Sequence, residues 1–388
     1  RRSTRWNARR FLGYESSLRR VRYCGRDSVS GSVAFKASGT GENRRAGVSQ
    51  VKRCGSTWAC PVCSHKIASS RAAEIADAVQ AWHKRGNRII FLTLTMRHKK
   101  HHALDDLWEN GVSAGWNKVT SGRAWKDDQA AYGTTVSRLV KTGKRAGETV
   151  TEKRIGFARV VEVTHGKNGW HVHIHALLFV RGDIVGSEAL ALGDRIFGRW
   201  LPALTDAGFG SPSLRHGVDV RLLGPGDQDR ISEYFAKSVY GNANAAKVGW
   251  EAAGSVNKIA SKKFGNRTPF QILSDLVESG DADDLDLWWA WEKASHGKRQ
   301  LTWSPWLRAE LALGAEESDQ ELADKELDGE VVLTLRQDQY DAIFPVVPEL
   351  LDLIEEDATL LLAWNWLDQK LGQWKTCTPL YSGPPLAV

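Results

Sequence analysis

The chain of 388 residues has no apolar run near the roughly 18 residues that a membrane-crossing helix needs; its longest, around Ile89 to Met96, has the length of a buried strand. Arg9-Arg10-Phe11-Leu12 has the form of a twin-arginine export signal, but no hydrophobic segment follows it. The chain is therefore expected in the cytoplasm, with no membrane partner. Cysteine is scarce, five residues in all, and in a reducing compartment so few argue against a disulfide framework. Acidic residues are almost missing from the front and basic ones from the rear. Residues 1–54 hold 14 Lys and Arg against 3 Asp and Glu, and residues 309–388 hold 4 against 17, within a formal net charge of +7. A basic front and centre suits a polyanionic partner, although charge runs by themselves are usually just solvated surface. The remainder is ordinary globular composition, 42% hydrophobic and 26% charged, with length enough for two or three domains.

What is present centres on Gly169-Trp-His-Val-His-Ile-His-Ala-Leu-Leu-Phe-Val180. Period two is a strand signal, and it sends His171, His173 and His175 to one face while Val172, Ile174, Ala176 and Leu178 take the other. Imidazoles two residues apart on a strand form a ready ligand pair for a divalent metal. Phe157 to Thr164 reads as a second strand, and His165-Gly-Lys-Asn-Gly169 between them carries a turn signal, so the two form a hairpin. With Lys167-Asn168 central in the turn, Glu162 lies opposite His173; with Asn168-Gly169 central, it lies opposite His175. Either register sets the carboxylate beside a histidine. Two histidines and one carboxylate suit Mg²⁺ or Mn²⁺, and Zn²⁺ and Fe²⁺ also accept such a set.

Taken in order, residues 1 to about 50 are Arg-, Gly- and Ser-rich and read as loops and short strands. Cys54, Cys60 and Cys63, joined by Cys24 of an upstream Cys-Gly pair, form a candidate structural zinc site with four thiolates; His65 is the runner-up for the fourth ligand. Cys377 stands alone and reads as a small apolar residue. An amphipathic helix is expected from Ser64 to about Arg85, ended by Gly86-Asn87, then a central strand over Arg88–Thr95 with Thr93 and Thr95 on one face. Those threonines are as readily phosphate contacts as ordinary strand residues. His98, His101 and His102 follow in a Lys-rich loop and read as solvated or facing a polyanion. Residues 103–125 look helical, 140–154 form a glycine- and charge-rich connector, 187–203 read as a helix and 217–223 as a strand. The order strand–helix–strand–strand–helix–strand points to an α+β fold, a ferredoxin-like or split βαβ antiparallel sheet with helices on one face. Trp288, Trp289, Trp291, Trp303 and Trp306 mark a compact helical segment in which core packing outweighs base stacking, and 350–371 looks helical. Three regions follow: 1–70, basic and zinc-binding; 71–250, bearing the histidine strand; and 251–388, mainly helical with an acidic tail.

A helix is also expected from Asp227 to Tyr240, behind Gly224-Pro-Gly and closed by Gly241. On it Tyr234 and Lys237 share a face, so an ammonium can favour a phenolate or neutralise a phosphate; a Glu233–Lys237 surface pair is the plainer reading.

Phe91-Leu-Thr-Leu-Thr95, Glu162 through Phe179, and Tyr234-Phe-Ala-Lys237, in that order, resemble the HUH endonucleases, in which U is a hydrophobic residue. The closer resemblance is to rolling-circle replication initiators of plasmids from high-GC Gram-positive bacteria. It extends to Arg53-Cys-Gly through Cys63 and to His296-Gly-Lys-Arg-Gln-Leu-Thr-Trp-Ser304, about residues 50 to 310. It implies an HUH nicking domain. His173 and His175, with Glu162 as third ligand, hold the catalytic Mg²⁺ or Mn²⁺, while Tyr234 attacks a phosphate of single-stranded or hairpin origin DNA and Lys237 orients it. A 5′-phosphotyrosyl link and a 3′-hydroxyl primer result, with a host helicase and DNA polymerase as partners and His171 in support. Some initiators have a tyrosine directly after this lysine and a glutamate four residues before that tyrosine. Here Ser238 follows Lys237 and Arg230 lies four before Tyr234, so Tyr240 is the reserve nucleophile and Glu233 the candidate acid at termination. A conjugative relaxase or HUH transposase is the near alternative, and a zinc-stabilised DNA-binding regulator without catalysis the distant one.

Overall fold

Apolar alternation over residues 88–95, 157–164 and 169–180 becomes three neighbouring strands of one antiparallel sheet. The structure, a computed structural model, describes residues 2–139, 142–144, 146–224, 227 and 265–372. Its strands in chain order are β1 (Ser32–Ser38), β2 (Arg45–Ser49), β3 (Arg88–Thr95), β4 (Thr134–Leu139), β5 (Thr149–Arg154), β6 (Gly156–Gly166), β7 (Gly169–Val180), β8 (Val218–Leu223), β9 (Leu301–Trp303) and β10 (Glu330–Arg336). The chain divides into two units, Arg1–Ile67 with Glu317–Val388, and Ala68–Glu316. Of the described C-terminal residues, 265–316 belong to the second unit and Glu317–Gly372 to the first.

In the second unit the sheet order is β8-β3-β7-β6-β9, antiparallel throughout. Setting aside the edge strand β9, this is the split βαβ order, and the α+β class with an antiparallel sheet is as expected. Period two divides the strands between two cores. Ile89, Phe91, Ala158, Val160, Leu177 and Phe179 pack with Ala68, Ile75, Val79 and Trp82 of helix Pro61–Lys84, and the Trp82 ring meets Phe179 edge-on at 5.5 Å. On the other face Trp116 meets Phe157 at 5.2 Å, and Trp200 of helix Gly186–Asp206 donates its Nε1–H to the Thr95 carbonyl at 2.8 Å. Helices thus cover both faces, not one. The added layer is helix Pro61–Lys84, which precedes β3, the first strand of this sheet in the chain, and so stands outside the strand–helix series that the order was read from.

In the first unit β1 lies between β10 and β2. Phe35, Leu333, Tyr340, Val347, Leu350 and Ile354 form its core, with Trp6 of helix Arg2–Glu15 donating to the Phe344 carbonyl at 2.7 Å. That helix replaces the expected N-terminal loops; its buried stripe of Trp6, Ala8, Arg9 and Leu12 contains an arginine and so escapes an apolar-periodicity reading. The connector at 140–154 ends in β5, an exposed strand paired with β4 whose charged residues hide its alternation. Residues 350–371 form parts of two helices, Val347–Glu356 and Leu361–Leu371. Trp288, Trp291 and Trp303 are buried, whereas Trp289 is 40% exposed. No helix among the described residues is long and apolar enough to cross a membrane.

The close seat of Trp200 yields a stability test. A Cβ on Gly115 would stand 2.6 Å from the Trp200 ring, while one on Gly198 meets nothing within 4 Å. Gly115→Ala is expected to cost about 1–3 kcal/mol through overpacking, and Gly198→Ala to gain about 0.5–1 kcal/mol as a helix-interior glycine replacement. Thermal and urea melts of the two variants read the opposite signs directly.

Candidate metal centres

The hairpin adopts the register in which Glu162 lies opposite His173, with Gly166 paired to Gly169. Gly169 takes φ 84°, which closes the turn, and a Cβ there would meet the Lys100 backbone at 2.9 Å. Although Glu162 pairs with His173, its Oε2 lies 3.4 Å from His173 Nε2 and 3.0 Å from His175 Nε2. One carboxylate oxygen therefore serves its direct partner and the diagonal neighbour, as side chains on one face of an antiparallel pair can. The three donors lie within 4.8 Å of one another. In an octahedral shell with bonds of about 2.1 Å, neighbouring ligands stand about 3 Å apart, so the set fits a divalent ion. It remains partly open, Glu162 being 24% and His173 12% exposed.

Neighbouring strands fix these side chains. Thr93 pairs with His175, and its Oγ1 is 3.0 Å from His175 Nδ1. When Nε2 serves as a ligand the ring proton sits on Nδ1, and Thr93 is its acceptor. Phe91 stacks on the same ring at 5.5 Å and 17°. Thr95 Oγ1 donates to the His216 carbonyl at 2.5 Å, so this hydroxyl is already engaged. Thr93 is thus an orienting residue, a role visible only once β3 and β7 are set in register.

The electrostatics suit metal ligation. Burial pushes Glu162 up, but hydrogen bonds from His173 and His175, and their charges, outweigh it and hold the carboxyl well below the usual carboxylate range. Burial lowers His175 from the ordinary imidazole value, against the opposing pull of Glu162. His171 is pushed down to about 3, by burial first and then by His173 and His98. It stands outside the three-donor set, its ring 4.9 Å from His173 and 5.0 Å from His98. His98 is therefore not simply solvated: it is half-buried, with Nδ1 3.1 Å from the Asn168 carbonyl. Arg97, Lys99, Lys100 and His101 remain exposed in the same loop.

In the first unit Cys24, Cys54, Cys60 and Cys63 converge, all buried, their sulfurs within 4.8 Å of one another. Hydrogen bonds from Cys54, Cys60 and Cys63 hold the Cys24 thiol well below its usual value, while Cys54 and Cys60 are raised within the same cluster. His65 lies outside this set; burial, then Arg5, lowers it to about 4. Glu233, Tyr234, Lys237, Tyr240 and Cys377 lie outside the described residues.

No family model and no solved structure matches the chain. The chain is 31% identical over 236 residues to the neomycin resistance protein of Streptomyces cyanogenus, which covers 57% of this chain and 49% of that one. It is 34% identical over 330 residues to Protein rep of Streptomyces lividans, 74% of this chain and 69% of that protein. With that identity sustained over more than two thirds of both chains, the chain belongs to the Rep protein family.

Proposed function

We propose that this Rep protein initiates rolling-circle plasmid replication by nicking one strand of origin DNA and later rejoining it, as an HUH endonuclease. The observation that carries the reading is the set of Glu162, His173 and His175, three donors on one face of a hairpin. These residues hold Mg²⁺ or Mn²⁺, and the ion, when bound, is a Lewis acid toward a phosphate oxygen. Thr93 keeps the His175 ring turned toward the site, and the exposed Arg97, Lys99 and Lys100 offer cationic contacts to the strand.

Tyr234 is the nucleophile in this reading. Its oxygen bonds to phosphorus, the bond from phosphorus to the 3′ oxygen breaks, and the leaving oxygen takes up a proton. The products are a 5′-phosphotyrosyl link and the 3′-hydroxyl that primes a host polymerase beside a host helicase. The covalent link keeps the phosphodiester energy for rejoining. Lys237 orients the phenol or balances charge, Glu233 serves acid–base chemistry at termination, and Tyr240 is the reserve nucleophile. The roles of these four residues rest on the sequence resemblance, and that of the metal ligands also on their geometry.

Incubated with origin-type single-stranded DNA and Mn²⁺, the wild-type chain is expected to form a covalent adduct seen by mass spectrometry, and Tyr234→Phe none. An adduct that survives in Tyr234→Phe but vanishes in Tyr240→Phe moves the nucleophile. Absence of any adduct from the wild type overturns the enzyme and leaves a DNA-binding regulator. Independently, Thr93→Val is expected to weaken Mn²⁺ binding about 10- to 100-fold, as loss of a ligand's orienting partner does, and Thr93→Ser to keep most of it; calorimetric titration compares them.

A further inference from the structure

Arg9 sits in the core of the first unit, 3% exposed, with its guanidinium carbon 3.6 Å from the centre of the Trp6 ring. Among the described residues its Nε and Nη2 find no hydrogen-bond acceptor. A guanidinium taken out of water is costly unless negative charge lies close. What lies close is Cys24-Gly25: Gly25 has φ 65°, and a Cβ on it would collide with Arg9 Nη1. Arg53, whose Nη2 donates to the Val48 carbonyl at 2.9 Å, directly precedes Cys54.

The sulfur geometry says what kind of negative charge this is. Cys24 and Cys63 sulfurs are 3.5 Å apart, and the Cys54–Cys63 and Cys60–Cys24 pairs 3.6 Å. A disulfide would need about 2.05 Å. Four bonds of about 2.3 Å around one zinc ion give a tetrahedron with edges of about 3.8 Å. A cluster of several irons places sulfide between its cysteines, for which these separations leave no room. Backbone amides also point at the sulfurs, Cys54 N to Cys24 Sγ and Ser56 N to Cys54 Sγ, both at 3.4 Å. The other neighbours of Arg9, the Trp6 and Phe344 rings and the Tyr340 hydroxyl, are neutral; four neutral thiols would add no negative charge beside Arg9, whereas four thiolates around one divalent ion carry a net double negative charge.

We propose that Cys24, Cys54, Cys60 and Cys63 hold one zinc ion as a tetrathiolate, and that Arg9 is the buried counter-charge that keeps zinc bound. Arg9 acts through the sulfurs without ligating the metal, so it is a positioning residue. The proposal does not depend on the nicking reaction.

The test uses the full chain. Elemental analysis is expected to find one zinc per chain, retained when His173 and His175 are both changed to alanine. Cobalt(II) exchanged into the site should give intense thiolate-to-cobalt charge-transfer bands that Cys60→Ser loses. Arg9→Met, which keeps a long apolar side chain over Trp6, is expected to release zinc to a chromogenic chelator about 10-fold faster, with Arg9→Lys restoring most of the retention. Should Cys60→Ser be insoluble, thiol titration of the wild type decides, four further thiols becoming reactive after chelation. Iron in place of zinc, no metal, zinc retained by a soluble Cys60→Ser, or thiols equally reactive before and after chelation overturns the site. Zinc release from Arg9→Met at the wild-type rate overturns the role of Arg9.

Discussion

The register of one hairpin decides what the second unit can do. Because side chains alternate with period two, a slip of one residue on either strand turns its whole histidine or carboxylate set toward the opposite core. The turn at Lys167-Asn168, closed by Gly169 in a left-handed conformation against the Lys100 backbone, holds Glu162 opposite His173. From there Oε2 reaches both Nε2 atoms. β3 then locks the arrangement from the other side, since the pairing of Thr93 with His175 gives the buried imidazole its second partner. The same strand face changes character along its length. Phe179 and Leu177 pack under helix Pro61–Lys84, and polar donors begin only at His175.

The polarity of charge along the chain also resolves into local structure. The basic front and the acidic rear from Glu317 onward belong to one unit, where Arg2 pairs with Asp352 at 2.6 Å and Glu355 at 2.5 Å, and Lys36 with Glu326 at 2.7 Å. Partly exposed pairs of this kind contribute little stability each. They do reduce the positive charge that the front offers to an outside polyanion. The cationic residues that flank the candidate site belong to the second unit, in the loop that follows β3.

Much of the second unit was legible because its signals are local. The alternating histidines, the turn residues and the helix periodicity from Ser64 each report on neighbours in sequence. The hairpin register was narrowed to two choices and no further, since both Lys167-Asn168 and Asn168-Gly169 are plausible turn centres and only backbone conformation separates them. Thr93 was ambiguous for a related reason: its meaning lies in a cross-strand partner 82 residues away. In the first unit β1 pairs with β10 across the length of the chain, Ser32 opposite Arg336, and nothing in either segment announces the other. Helix Arg2–Glu15 was hidden by the arginine in its buried stripe, a side chain held over the Trp6 ring by contacts that no periodicity announces.

The central claim is that the hairpin register builds a divalent-metal site from Glu162, His173 and His175. Anomalous diffraction at the manganese absorption edge, from crystals of the protein soaked in Mn²⁺, tests it most directly. The account predicts a peak bounded by Glu162 Oε2, His173 Nε2 and His175 Nε2, absent in crystals of His175→Ala. A fully soaked wild-type crystal with no peak there, or with manganese held only by other residues, would contradict it.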